Sequence, residues 1–200
     1  MASRVPLSLA FLAMVVVILT VHNTEVSAYV NRYHHKRVYL GRHHRTVGTS
    51  TVFSLCRRTD YPSLCTSSAG PQLRRARSVA PTVLTASHIR ATMVRTVLAR
   101  SLATKLVRSR NGSKIYKANI NVCLDNYDDA LSNLRDSMKS LRSRGSHADL
   151  MNNLSAALTD FTTCDDAFAE TPGMRSPLAH ANAILGMSAK NNLALASITH

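Results

Sequence analysis

Cysteines and carboxylates are the residues of this chain whose type and spacing could do chemistry. The four cysteines form a close pair, Cys56 and Cys65, and a distant pair, Cys123 and Cys164. Thiols bridge, ligate metal or attack electrophiles. Structural metal binding normally starts from a C-x-x-C pair, and none occurs. Four thiols in an oxidising compartment are expected to form disulfides, but they allow three pairings and spacing alone does not choose among them. Two carboxylate dyads, Asp128-Asp129 and Asp165-Asp166, invite an acid/base reading. Adjacent residues of a helix point about 100° apart, so neither dyad faces a single bond from both sides. His88, His147 and His180 stand singly, where surface or capping positions are expected. There is no G-x-S-x-G, no H-E-x-x-H and, with seven glycines in all, no phosphate-cradling loop. The expectation is a binding protein, not an enzyme, with no catalytic residue, cofactor or metal.

Compartment and charge set the partners. Residues 1–28 carry Arg4, an apolar run from Leu7 to Val21 and the small-x-small end Val26-Ser27-Ala28. This is the pattern of a secretory signal peptide cut before Tyr29, with an apolar run short of the ~20 residues that span a bilayer. Arg4 and Glu25 cancel, so the mature chain keeps the whole formal charge of +14. Such a charge calls for an anionic partner or environment. No aromatic recurs through the basic stretches to stack on bases, so nucleic acid does not fit. Residues 29–50 hold two similar clusters, His34-His35-Lys36-Arg37 and Arg42-His43-His44-Arg45, and no apolar period. They read as a basic, disordered arm, suited to acidic polysaccharide and more strongly charged at pH 5–6.

Residues 51–200 must supply the elements that position the cysteines and carboxylates. Phe53 to Cys65 reads as a short helical element and a turn at Tyr61-Pro62. Arg74 to Arg108 is loosely helical, with Ile89, Met93 and Val97 on one stripe and Leu98, Leu102 and Leu106 on an adjoining one. Asn111-Gly112-Ser113 breaks it and is an N-glycosylation sequon at Asn111 in a surface loop. A second sequon at Asn153 falls inside a helix. Ile120, Leu124, Tyr127, Leu131, Leu134, Met138 and Leu141 alternate steps of four and three, a period no strand produces. Gly145 ends that helix and Ser146-x-x-Asp149 opens another, striped by Leu150, Leu154, Ala157/Leu158, Phe161 and Phe168. Ser176-Pro177 starts the last, with Leu178, Ala181, Leu185, Ser188, Asn192 and Leu195 inward. The fold class is all-α: an antiparallel up-and-down four-helix bundle, its core drawn from Leu, Ala, Val and Met.

The acids are gathered. Of ten in the mature chain, Asp125, Asp128 and Asp129 follow Cys123, while Asp160, Asp165, Asp166 and Glu170 surround Cys164. Were those two cysteines bonded, both acidic stretches would meet on one side of the bundle. Asp125 and Asp129 are i,i+4 like charges with no base between them.

Several segments resemble the plant invertase/pectin methylesterase inhibitors. Cys56-x-x-Thr59-x-Tyr61-Pro62-Ser63-Leu64-Cys65 is similar to that family's opening motif. Cys123-Leu124-Asp125-Asn126-Tyr127-x-Asp129-Ala130, Leu154-Ser155-Ala156-Ala157-Leu158-Thr159 and Thr163-Cys164-x-Asp166-x-Phe168 resemble its later segments. Asn192-Leu193-Ala194-Leu195 resembles its closing helix. The resemblance implies a four-helix bundle preceded by an N-terminal α-hairpin, with bridges Cys56–Cys65 and Cys123–Cys164. It also implies a one-to-one complex over a target enzyme's active-site cleft, made by the second and third bundle helices. Asp125, Asp129, Thr163 and Asp166 match the family's contact positions. Asn153 stands where members usually carry Trp, and the Pro-Lys-Phe tripeptide of invertase inhibitors is missing.

Pectin methylesterase is therefore the expected target, in the cell wall of a plant apoplast, with invertase the alternative. A second alternative is a non-inhibitory cationic protein that binds wall polysaccharide or serves in defence. The basic arm would hold the protein on acidic pectin in either case.

Overall fold

The computed structural model describes residues 51–110, 112–143 and 145–199. The signal peptide, the His/Arg arm and Asn111 lie outside these residues. Three short helices come first: α1 (Thr51–Cys56), α2 (Pro62–Ser68) and α3 (Gly70–Arg75). Four long ones follow: α4 (Pro81–Arg108), α5 (Lys114–Ser143), α6 (His147–Ala169) and α7 (Ala179–Ala196). α4 packs on α5, α5 on α6, α6 on α7 and α7 back on α4, closing a ring. Pairing runs against chain direction. Asn119 near the start of α5 bonds to Thr171 just beyond the end of α6, and Asn133 further along α5 bonds to Asp160 of α6. The bundle is thus antiparallel, as the short connections require.

Local chemistry sets the helix ends. Pro81 occupies the first turn of α4, where its missing N–H costs nothing. Gly112 turns the chain at φ 108°, and a Cβ there would lie 2.7 Å from the Tyr116 ring. The Gly145 amide donates to the Ser140 carbonyl at 2.9 Å as α5 ends. Ser146 caps α6, its hydroxyl accepting from the Asp149 amide at 3.4 Å. The last helix begins at Ala179, two residues beyond the Ser176-Pro177 signal. The single loose helix expected from Arg74 is two, because residues 76–80 run between α3 and the proline that starts α4.

The predicted stripes of α5, α6 and α7 face the core. Ile120, Tyr127, Leu131, Leu134, Met138, Leu150, Leu154, Phe161, Phe168, Leu178, Leu185 and Leu195 are all buried. The largest buried side chains are Tyr127, Phe161 and Phe168, all on the expected stripes, so aromatics join the Leu, Ala, Val and Met expected of the core; the buried valines among the described residues, Val52 and Val79, lie under the hairpin.

α4 departs from its expected stripes. Val97 and Leu98 are 52% and 65% exposed, and Leu102 is exposed as well. Ile89 is buried as expected and Met93 and Leu106 pack against the core, but the rest of the buried row is Leu84, Thr85, His88, Thr92, Thr96, Ala99 and Ala103. The physical reason lies in side-chain self-satisfaction. Thr85, Thr92 and Thr96 each donate to the carbonyl four residues back, so they enter the core without an orphan hydroxyl. Alanines at 99 and 103 then allow close approach of the neighbouring helices.

α1 and α2 form the hairpin, joined by the Cys56–Cys65 disulfide, with α3 beside them. They cover a second cluster of Val52, Cys56, Cys65, Ala69, Val79, Leu84 and Leu195. Asn191 latches the hairpin turn to α7: its Oδ1 accepts from the Tyr61 amide and its Nδ2 donates to the Tyr61 carbonyl, both at 2.9 Å. His88 is buried, not at the surface as expected, with Nε2 2.8 Å from the Cys65 carbonyl.

Candidate functional site

α5 and α6 make the most extensive helix pair of the bundle and carry the four expected contact residues. The Cys123–Cys164 disulfide joins them with a Cα–Cα distance of 4.5 Å. This fixes the register in which one helix presents Asp125 and Asp129 and the other Thr163 and Asp166. A buried polar knot backs the disulfide. Tyr127 lies with its hydroxyl 2.5 Å from Asn182 Oδ1 on α7, and the Asn182 amide reaches Cys164 Sγ at 3.0 Å and the Asp165 carboxylate at 2.7 Å. Burial pushes the Tyr127 phenol well above its ordinary range, and the Asp165 charge adds to this, so it stays a neutral donor.

The structure sorts the seven gathered acids. Asp128 is held by Arg100 of α4, with Nε and Nη2 at 2.6 and 2.9 Å from its two oxygens. Asp165 is held by Asn182, and Asp160 accepts from the Asn133 amide at 2.9 Å. Burial raises the Asp160 pKa, the Asn133 hydrogen bond opposes that, and the nearby Asp129 charge raises it further. Asp125, Asp129, Asp166 and Glu170 are exposed and make no hydrogen bond or ion pair through their carboxylates among the described residues. The Thr163 hydroxyl is half-buried and donates to the Thr159 carbonyl at 3.0 Å.

Three of the four expected contact residues are thus exposed carboxylates without a base among the described residues. Sequence reasoning had grouped Asp128 and Asp165 with them. Their partners come from α4 and α7, far away in sequence, and no local spacing signals them. The exposed carboxylates are acceptors, suited to recognising a partner that presents N–H, O–H or cationic groups. Cys56, Cys65 and His88 also converge, their potential ligand atoms within 4.8 Å of one another. The two sulfurs are bonded to each other, so they are not free to ligate.

Comparison with known proteins decides the family. The model of the plant invertase/pectin methylesterase inhibitors matches residues 50–195. The chain belongs to that family. It is an enzyme-inhibitor family, in keeping with the want of catalytic chemistry in the sequence. Two solved structures share its fold. A mutant form of a pectin methylesterase inhibitor from Arabidopsis aligns over 75% of this chain and 97% of its own, at 20% identity and a TM-score of 0.62. A pectin methylesterase inhibitor from Arabidopsis thaliana aligns over 76% and 98%, at 19% identity and a TM-score of 0.58. No curated protein sequence matches. The inhibitor fold accounts for the four long helices, the hairpin and both disulfides. None of the described helices is long and apolar enough to cross a membrane.

Proposed function

We propose that the protein is a secreted inhibitor of pectin methylesterase that binds one-to-one over the enzyme's active-site cleft and limits pectin de-esterification in the cell wall. The α5/α6 surface is the contact face, with Asp125, Asp129 and Asp166 as acceptors and Thr163 among them. The carrying observation is that these carboxylates are gathered, exposed and unpaired among the described residues, on two helices stapled together. Membership of the inhibitor family supplies the class of partner. Within it, the missing Pro-Lys-Phe tripeptide favours methylesterase over invertase. The leader at residues 1–28 directs the chain to the apoplast, and the arm at 29–50 keeps it on acidic pectin. The sequon at Asn111 is the expected glycosylation site.

Titration of the oxidised protein into pectin methylesterase, with methanol release as readout, tests this. Activity should fall linearly to an end point at one inhibitor per enzyme. Invertase assayed in parallel should keep its activity. Undiminished methylesterase activity across acidic to neutral pH removes the proposal, and loss of invertase activity alone moves the target to invertase.

A further inference from the structure

Five of the seven large hydrophobic side chains exposed among the described residues lie on α4: Val83, Val94, Val97, Leu98 and Leu102. That concentration sets α4 apart from the other long helices. At 100° per residue these five, with Arg90, Lys105 and Arg108, fall in one arc of about 140°. α4 contains no acidic residue. Its Arg100 is engaged by Asp128 of α5; exposed Arg90 lies between Val83 and the Val94–Leu102 stretch, and exposed Lys105 and Arg108 follow that stretch. From Val94 to Leu102 the outer face of α4 is therefore mainly apolar, with exposed Ser101 within it and cations on either side.

Charge decides what fits it. A second copy docked antiparallel about Val97 and Leu98 would set Arg90 of one molecule against Lys105 and Arg108 of the other. Parallel docking would set each cation against its own counterpart. Both arrangements repel. A polyuronate would engage the cations but has no use for a valine and leucine centre. We propose that this face of α4 docks the protein on the surface of an anionic lipid bilayer. Lysine and arginine place their aliphatic stems along the apolar strip and their charges at lipid phosphates, while Val94, Val97, Leu98 and Leu102 enter the acyl boundary. The attachment is peripheral, since no described helix can span. It uses α4 and leaves the α5/α6 face free.

Co-sedimentation of the full oxidised protein with phosphatidylcholine vesicles, with and without phosphatidylglycerol, is the test. Binding is expected only to the anionic vesicles. The substitution Val97→Ser/Leu98→Ser/Leu102→Ser leaves the net charge and every basic stretch untouched, including residues 29–50. It should lower partitioning by about tenfold or more, with no change in thermal melting or in enzyme inhibition. Arg90→Gln and Lys105→Gln should each lower it roughly fivefold. Partitioning that the triple substitution leaves unaltered overturns the proposal, because basic charge elsewhere then accounts for all binding. A dimer in solution that the triple substitution dissolves also overturns it, making a second copy the occupant. If the triple variant melts early, the two charge variants decide alone: unchanged partitioning in both overturns the proposal.

Discussion

Asp125 and Asp129 sit one helical turn apart, exposed, with no cation to separate their charges. Such a pair carries a small standing cost to the helix. Replacing both by asparagine should leave the melting temperature unchanged or slightly higher while weakening inhibition of methylesterase at least about tenfold, since each charge-assisted bond to a partner is worth about 1.5–3 kcal/mol. A double variant that keeps full potency would take these residues out of the contact face. His88 makes a separate prediction at the same scale. Burial lowers its pKa from 6.5 to about 4; the bond to the Cys65 carbonyl opposes this and the Arg95 charge adds to it. The folded protein thus holds a neutral imidazole where the unfolded chain is protonated. Stability from this group is complete above pH 6.5, declines as pH falls towards 4, and changes no further below that. The loss across the window amounts to about 3 kcal/mol. Melting curves from pH 7 to 4 should show it, and His88→Gln should be less stable at neutral pH yet flatter across the window. A wild-type melting temperature that does not move between those limits contradicts the burial argument.

At the scale of the helix, α4 separates what pattern can reveal from what it cannot. α5 and α6 carry apolar rows at helical period, and those rows are the buried ones, while α7 buries its expected row with Ser188 and Asn192 among the leucines. Period reads correctly when the apolar face and the inner face coincide. On α4 they do so only in part: Leu84 and Ile89 are inside, but threonines that satisfy their own hydroxyls and small alanines line the middle of the inner face, while Val94, Val97, Leu98 and Leu102 face out. Only the neighbours α5 and α7 decide which row is inner. His88 was misplaced for the same reason, because its partner is a carbonyl on the hairpin 23 residues away. The contact carboxylates were legible as a group from their clustering near the cysteines. Their division into held and unheld was not, because Arg100 and Asn182 arrive through the tertiary fold. A pair of adjacent substitutions checks the face assignment. Ala99→Leu should cost about 1–3 kcal/mol by overpacking, while Leu98→Ala should stay within about 0.5 kcal/mol of wild type. The reverse order, measured by denaturant unfolding, would restore the leucine row to the core.

For the whole molecule, the Cys123–Cys164 bridge is where fold and function meet. It closes 41 residues of chain and ties α5 to α6 across the face that carries the unpaired carboxylates. The helices also touch along their length, through Asn119–Thr171 at one end and Asn133–Asp160 further along. Removing the bridge therefore does not dissolve the pair outright; it releases the unfolded chain from a loop constraint worth about 4 kcal/mol in the chain-entropy model. A domain of this size is stable by about 5–15 kcal/mol, so the loss is a large share of the whole. Cys123→Ala/Cys164→Ala is expected to stay helical at room temperature, melt well below wild type and unfold at lower denaturant with a steeper slope, since the released unfolded chain exposes more surface. The Cys56–Cys65 bridge closes only nine residues and lies in the hairpin, away from the α5/α6 pair. Its removal should cost less stability and should loosen the hairpin that Asn191 and His88 hold, seen as faster amide exchange there. Inhibition separates the two bridges more sharply than melting does. The α5/α6 variant should lose potency at temperatures where it is still folded, because the two carboxylate-bearing helices are no longer held in one register. The hairpin variant should keep its potency. Equal potency in both variants, each verified as folded, would mean that helix packing alone sets the contact face.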